Sequence, residues 1–502
     1  MENILMLFSG FSTVFAFDNL AACFFGALLG LIVGAMPGIG SLAGCALLLP
    51  LTYKFNPTTA IIMLGAVYYA NMYGGAFSAI LLNIPGDSPA VMTAVDGYPM
   101  ATTRGRPGQA LFVSNISSCI GGFIGILILT FTGPALAEIG LAFGPAEMTS
   151  LLLMAMTSVG WLMGESPIKG VIATLLGIIL ANIGMDTLSG SPRFNFGSLY
   201  LMGGIPFIPF VIGSVGFAQI IKIMENRKAG PQKLNQKLTI RGSLLSIKEF
   251  RRLLPPAIRS GFLGTFVGVL PGAGATTAAF LGYAAQRPFK SAEPLGTGAV
   301  EGIAACEAAN NAAAAGAFAP LLALGIPGSG TGAVLLGGLI MWGLTPGPLL
   351  FTKSPDFAWG LIASLYLANL CALLIAAGII PFLVRILSVP IKLMIPLITV
   401  VCFVGAYSSS NSMYGVLIML LSGVLGYILD KHKYPIAPML LAFVLAPMLE
   451  SNMRKAFIIS QGSLSIFVTR PISLVFLAIM AALILFPAIK TAVKKIRKES
   501  PK

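Results

Sequence analysis

The stretch Gly30–Gly40, "GLIVGAMPGIG", lies inside an apolar run and returns at Gly264–Gly274 as "GTFVGVLPGAG". Gly, Gly, Pro, Gly and Gly match at a constant offset. Other pairs follow in the same order. "LLNIPGDS" (Leu81–Ser88) matches "LALGIPGSG" (Leu322–Gly330), and "RPGQALF" (Arg106–Phe112) matches "TPGPLLF" (Thr345–Phe351). Gly160 and Gly170 pair with Gly405 and Gly415, and "PFIPF" (Pro206–Phe210) with "PIAPM" (Pro435–Met439). One shared Gly-Pro pair is a coincidence; an ordered series is an internal repeat.

Composition sets the surroundings of that repeat. The 502 residues are 56% hydrophobic and 10% charged, with a mean hydropathy of +0.90. A soluble domain carries about 25% charge. Runs able to span hydrocarbon recur at Asn19–Met36, Leu111–Phe131, Met148–Met163, Gly170–Met185, Phe357–Ile380, Tyr414–Leu429 and Ile472–Ile489. The fold expected is therefore an all-α polytopic membrane protein of roughly 10–13 membrane segments. The alternating short segments of a membrane β-barrel are missing.

The net charge of +14 is concentrated in two segments. Lys222–Arg259 holds ten Lys and Arg against two Glu, and Lys490–Lys502 six against one. Basic loops beside spans mark the cytoplasmic side, so these are topology signals and not a nucleic-acid surface. They divide the chain into an N-terminal repeat (1–221), a basic cytoplasmic linker (222–258), a C-terminal repeat (259–470) and a terminal helix with a cytoplasmic basic tail (471–502). Counting crossings back from Lys222 puts Lys54, Arg104, Arg106 and Lys169 inside and Arg193 outside. The two copies then enter from opposite faces, as inverted-topology repeats, with Arg287, Lys290, Lys353, Arg454 and Lys455 left outside.

Inverted repeats with broken helices mark secondary transporters, whose sites lie near the midplane. Each half has two breaks: Pro37/Gly38/Gly40 and Pro271/Gly272/Gly274, then Pro85/Gly86 and Pro327/Gly328. Pro removes a helix hydrogen bond and Gly admits positive φ. In hydrocarbon each freed backbone group must be satisfied again, by neighbouring protein or by a bound ion and substrate. A packing kink is the plain alternative for any single break; two matched pairs weaken it.

Polar residues gather beside the breaks. Ser41 follows the first, and Thr276 and Thr277 its twin. Asn83, Asp87 and Ser88 flank the second, and Ser329 and Thr331 its twin. Asn71 and the pair Asn310–Asn311 lie on the helices leading in. Oxygen-rich turns suit Na⁺, the candidate coupling ion at the Gly-Pro turns, and helix-start N–H groups suit a carboxylate. Glu307 stands one turn before Asn310 and Asn311 on one helical face. With Glu301, Asp87 and Asp96 it is among the acids nearest membrane depth, where ionisable groups are functional candidates.

Enzyme chemistry finds few parts. The single His, His432, stands in "DKHK", the six Cys form no C-x-x-C, and neither glycine turn is followed by the Lys of a phosphate-binding loop. No enzyme activity and no cofactor beyond Na⁺ are expected.

Two long segments resemble the large membrane subunit of the tripartite tricarboxylate transporters. They are "GAVYYANMYGGAFSAILLNIPGDSPAVMTAVDGYPMA" (Gly65–Ala101) and "EGIAACEAANNAAAAGAFAPLLALGIPGSGTGAVLLGGLIMWGLTPGPLLF" (Glu301–Phe351). The resemblance implies an elevator-type secondary transporter of the bacterial inner membrane, importing a di- or tricarboxylate such as citrate by symport with Na⁺ or H⁺. It also implies two partners, a small four-helix membrane subunit and a periplasmic solute-binding protein. By resemblance the Asn83–Asp87 and Gly325–Ser329 turns, both PGxG turns and Asn310–Asn311 carry over as site candidates. Ala76 departs from a common hydroxyl, and Asp87 from an acid one methylene longer; if either touches substrate, the carboxylate need not be citrate. A non-transporting scaffold or sensor subunit is the alternative function.

Overall fold

Among the residues that the computed structural model describes (2–36, 39–162, 166–186, 189–225, 238–382 and 391–499), helices dominate, and seven are long and apolar enough to cross a membrane. The spans expected around Leu111–Phe131, Phe357–Ile380 and Tyr414–Leu429 fall within three of them, Pro107–Leu141, Pro355–Phe382 and Met413–Lys431. Pro37 and Gly38 lie outside the described residues, as do 226–237 of the basic linker.

The chain forms two compact units that each draw on both halves of the sequence. Unit 1 comprises Met1–Glu138 and Pro206–Ile428; unit 2 comprises Ile139–Ile205 and Leu429–Lys502. The repeat boundaries read from charge follow chain order, whereas these units follow packing.

Unit 1 begins with α1 (Glu2–Val14), α2 (Phe17–Ala35), α3 (Gly40–Leu48), α4 (Pro57–Leu82), α5 (Ala90–Thr102) and most of α6 (Pro107–Leu141). After α7 (Pro145–Leu162) and α8 (Pro167–Ala181), both in unit 2, it resumes with α9 (Phe207–Glu225). It continues through α10 (Ile247–Val269), α11 (Gly274–Gln286), α12 (Val300–Gly316), α13 (Phe318–Leu324) and α14 (Gly330–Met341). Beyond α15 (Pro355–Ile379) lies α16 (Ile391–Ser410), and the chain leaves unit 1 within α17 (Met413–Lys431).

The helices on either side of each PGxG break fold back on each other. Arg259 on α10 donates to Gln286 at the far end of α11, so the two helices fold back on each other about the Pro271–Gly274 turn. A Cβ on Gly44 of α3 would lie 2.7 Å from Val33 Cγ1 on α2, which shows the same return about the first turn. Local geometry repeats as well. Met36 and Leu270 leave α2 and α10 extended, at φ −81°, ψ 113° and φ −76°, ψ 119°, and Gly40 and Gly274 take φ of +65° and +63°.

The IPG breaks are different. Asn83 (φ 55°) and Gly325 (φ 69°) end α4 and α13 in the left-handed region, where Asn and Gly are tolerated. Ile84 N–H then reaches Ser78 O (3.3 Å) and Ile326 N–H reaches Pro320 O (3.1 Å). Gly86 N–H bonds to Gly75 O at 3.2 Å, so the chain steps back along the helix it has left. Ala90 lies beside Gly75 and Gly97 beside Ile80, so α5 sets off again in the direction of α4.

Glycine lets the helices touch. A Cβ on Gly30 or Gly34 would lie 2.4 Å from the Val67 or Asn71 carbonyl of α4, and one on Gly264 or Gly268 would lie 2.2 Å from the Ala309 or Ala313 carbonyl of α12. The matched positions thus make matched crossings, the small-residue contacts by which helices associate in lipid. Helix α4 runs antiparallel to the α12–α13 segment, for Gly65 meets Phe318 of α13 while Tyr69 bonds to Asn311 O of α12.

Ion pairs gather at one end of unit 1. Arg106 bonds to Glu249, whose carboxyl is pushed up by partial burial but held below its usual range by the donors Arg106 and Ser246. Arg252 bonds to Glu301 (2.9 Å) and Glu293 (2.5 Å), which push its guanidinium up. Arg104 donates to Thr297 O at 2.8 Å. The 287–299 loop therefore lies at the same end as Arg104 and Arg106. This corrects the charge count, which left Arg287 and Lys290 on the far side. The count also put Lys54 with Arg104, whereas Thr59 donates to Asn19 and α4 and α5 run on together, so Lys54 lies at the end where α2 begins and Arg104 at the other.

Unit 2 packs α7, α8, α18 (Ile436–Ile459) and α19 (Pro471–Glu499) beside a two-stranded hairpin, β1 (Gly184–Met185) and β2 (Pro192–Arg193). Arg193 on β2 binds Asp186 (2.5 Å) and Glu450 (2.9 Å), and Arg454 binds Asp186 at 3.0 Å. Arg193 and Arg454, both expected outside, share this network.

Candidate functional site

Two clusters in unit 1 collect most of the candidate residues. The first forms at the start of α3. Asp87 Oδ2 accepts Ser41 N–H at 3.0 Å and Oδ1 accepts Ser88 N–H at 2.7 Å. A Cβ on Gly40 would lie 3.1 Å from Asp87 Oδ1, so glycine here supplies the positive φ and the room for the carboxylate. An acid at this point also faces the positive end of the α3 dipole.

The second half meets the first here. Ser41 Oγ lies 3.0 Å from Thr331 Oγ1, and Tyr68 OH lies 3.5 Å from Ser329 Oγ. Ser329 also accepts Gly332 N–H at 3.1 Å, capping α14. Close by, Asn71 is fully buried, with both amide atoms unpartnered among the described residues. Asn83 and Ser88 are exposed, whereas Gly325–Gly328 are buried. Tyr68 is a participant that sequence reading passed over; an aromatic in an apolar helix gives no signal until a partner is known.

The matched helix starts differ. In the alignment of the two IPG turns Asp87 stands opposite Ser329, so the second half has no carboxylate at the place that serves α3. Helix α11 starts at Gly274 with no side-chain cap, and Thr276 and Thr277 lie half-buried in its first turn. Pro271 and Gly272 form the tip, fixed by Gly272 N–H to Gly328 O at 3.1 Å. The second PGxG turn is thus fastened to the second IPG turn through a backbone hydrogen bond.

The other cluster surrounds Glu307 on α12. Thr93 donates to Oε1 and Ser118 to Oε2, the latter at 2.8 Å. Asn311 Nδ2 bonds to Glu307 O (3.1 Å) and to Asn310 Oδ1 (2.6 Å). Glu307, Asn310 and Asn311 are thereby gathered as their spacing indicated, together with Thr93 and Ser118. The signal for Ser118 was the polar run "SNISSC" (Ser114–Cys119) inside an apolar span.

Asp96 and Glu301 are structural. Asp96 Oδ1 accepts the N–H groups of Gly296 (2.9 Å), Gly298 (2.9 Å) and Ala299 (2.8 Å), and Oδ2 accepts Tyr283 OH at 2.8 Å. Glu301 is spent on Arg252.

Residues 20–441 match the family model described as "Tripartite tricarboxylate transporter TctA family". The chain is 38% identical over 503 residues to an uncharacterized 52.8 kDa protein in the TAR-I ttuC' 3' region of Agrobacterium vitis, covering 99% of both. It is 40% identical over 232 residues to an uncharacterized protein in the TAR-II ttuC' 3' region of the same organism, covering 45% of this chain and 96% of that one. No solved structure matches the chain.

Proposed function

Because the chain belongs to the tripartite tricarboxylate transporter TctA family, we propose that it is the permease subunit of a binding-protein-dependent secondary transporter. It imports a di- or tricarboxylate across the bacterial inner membrane by symport with Na⁺ or H⁺. A periplasmic binding protein delivers the substrate, a small membrane subunit completes the complex, and the basic C-terminus faces the cytoplasm.

The unequal filling of two matched helix starts carries this reading. Asp87 supplies α3 with a carboxylate from within the chain; α11, where the opposing residue is Ser329, has none. A substrate carboxylate at α11 would make there the contacts that Asp87 makes at α3, with Thr276 and Thr277 as added donors. The antiparallel run of α4 and the matched α12–α13 segment supports inverted repeats, and with them alternating access.

The test is uptake of labelled carboxylates by proteoliposomes holding the chain with both partners, under imposed Na⁺ or H⁺ gradients. Ser329→Asp supplies the second half with its own carboxylate and retains a good helix cap, so it is expected to abolish uptake while leaving the protein folded. Full uptake by Ser329→Asp, or uptake indifferent to both gradients, contradicts the proposal. A scaffold or sensor subunit would move no carboxylate in any of these assays.

A further inference from the structure

We propose that the oxygens around Glu307, and not the Gly-Pro turns, hold a desolvated Na⁺ ion. The proposal rests on the transport reading only for the ion's purpose, which is coupling.

Glu307 is fully buried, and three helices supply oxygens around it. Thr93 comes from α5 and Ser118 from α6, each donating its hydroxyl proton to the carboxylate and keeping oxygen lone pairs that can accept, with Cys306 Sγ 3.7 Å from Thr93 Oγ1. Ser114, one turn before Ser118, lies beside the carboxylate. Asn311 stands one turn after Glu307 on the same face of α12.

Three buried polar atoms in this group form no hydrogen bond of good geometry among the described residues: Asn311 Oδ1, an acceptor; Ser114 Oγ, which can donate or accept; and Asn310 Nδ2, a donor. The Asn311 amide has a defined orientation, since its Nδ2 donates to two oxygens and leaves Oδ1 over. A buried acceptor without a donor is costly, and so is a buried carboxylate without a counter-charge. One cation relieves both.

Among the described residues no basic side chain does so. The titratable or charged groups on α12 and the helices packed against it, helix ends aside, are Glu301 and Cys306 on α12, Asp96 and Tyr98 on α5, Cys119 on α6, Tyr68, Tyr69 and Tyr73 on α4, Tyr283 on α11, and Arg252 and Arg259 on α10. Arg252 is held by Glu293 and Glu301, and Arg259 by Gln286 and the Phe289 ring, 3.7 Å from its centroid. The remaining charges of α6 and α10 lie at the helix ends. A proton on Glu307 would cancel the charge but add only one donor. Na⁺ is a hard ion that shares its field among carboxylate, hydroxyl and amide oxygens at once.

The experiment uses the purified full chain without carboxylate or partner subunits. Its unfolding temperature and its retention of radiolabelled Na⁺ are measured in NaCl against choline chloride at equal ionic strength. Na⁺ is expected to stabilise the chain and to be retained. Glu307→Gln is expected to lose both effects. Ser114→Ala removes a single hydroxyl beside the carboxylate, so it should fold and weaken Na⁺ binding by roughly tenfold; it keeps the test decisive if Glu307→Gln fails to fold. A chain stabilised by acid and indifferent to Na⁺ assigns Glu307 a proton and overturns the proposal. Unchanged Na⁺ affinity in Ser114→Ala also overturns it. Absence of Na⁺ binding leaves the carboxylate-transport reading standing, and a chain that binds Na⁺ yet moves no carboxylate fails that reading alone.

Discussion

At the residue scale the informative groups are those whose environment permits one chemistry. Asp96 is a buried acid at membrane depth, which by sequence alone ranks with Glu307. Its four protein donors make it a pin between α5 and the start of α12, whereas Glu307 has two hydroxyls and unsatisfied neighbours. Asp96→Ala strands three N–H groups and a phenol, and is expected to cost about 3 kcal/mol or more. Asp96→Asn, with its carbonyl in the Oδ1 position, keeps the three N–H contacts and should lose much less; thermal unfolding in detergent compares them. Gly86 is equally constrained, since a Cβ there would lie 1.9 Å from Gly34 O, against 3.1 Å from Gly268 O at Gly328. Gly86→Ala is therefore expected to depress the unfolding temperature far more than Gly328→Ala. Spacing alone placed Glu307 and Asn311 on one face, but it had no means of separating an acid pinned by three backbone N–H groups from one set among side-chain hydroxyls.

At the scale of elements, a PGxG tip and a helix crossing use glycine for different reasons. Gly274 has positive φ and open space around its missing Cβ, so Gly274→Ala meets backbone strain alone, about 1–2 kcal/mol. Gly264 has ordinary helical backbone but lies against the Ala309 carbonyl, so Gly264→Ala forces α10 and α12 apart. Gly264→Ala is expected to be the more damaging of the two in yield and unfolding temperature. Helix breaks were legible in the sequence because Pro and Gly act locally. Their form was not: a kinked crossing and a hairpin have the same Pro and Gly, and only contacts such as Arg259–Gln286 and Gly44–Val33 identify the return.

At the scale of the whole molecule, two observations tie distant segments of unit 1. Ser41 and Thr331 join the two halves through their hydroxyls. A double-mutant cycle of Ser41→Ala and Thr331→Val should show a coupling of about 1 kcal/mol in unfolding; additivity would mean that the bond contributes nothing. The Arg106–Glu249 pair joins the start of α6 to the start of α10. Glu249 has a depressed pKa in the folded chain, so its stabilisation is present above the unfolded value of 4.5 and is lost as pH falls through the lower folded value. Glu249→Gln is accordingly expected to flatten the loss of stability in that acid window and to leave neutral pH nearly unchanged, at about 1 kcal/mol or less. The sequence by itself determined the helical membrane class, the repeat, the positions of all four breaks and the family, because hydropathy, Pro, Gly and motif order are properties of the chain taken in line. Only the tertiary structure decided that the helices flanking each PGxG break fold back on each other, that Asp87 already fills the start of α3, and that Glu307 is held by Thr93 and Ser118. Each of these depends on which segments meet, and contacts between residues far apart in the chain leave no periodic trace along it.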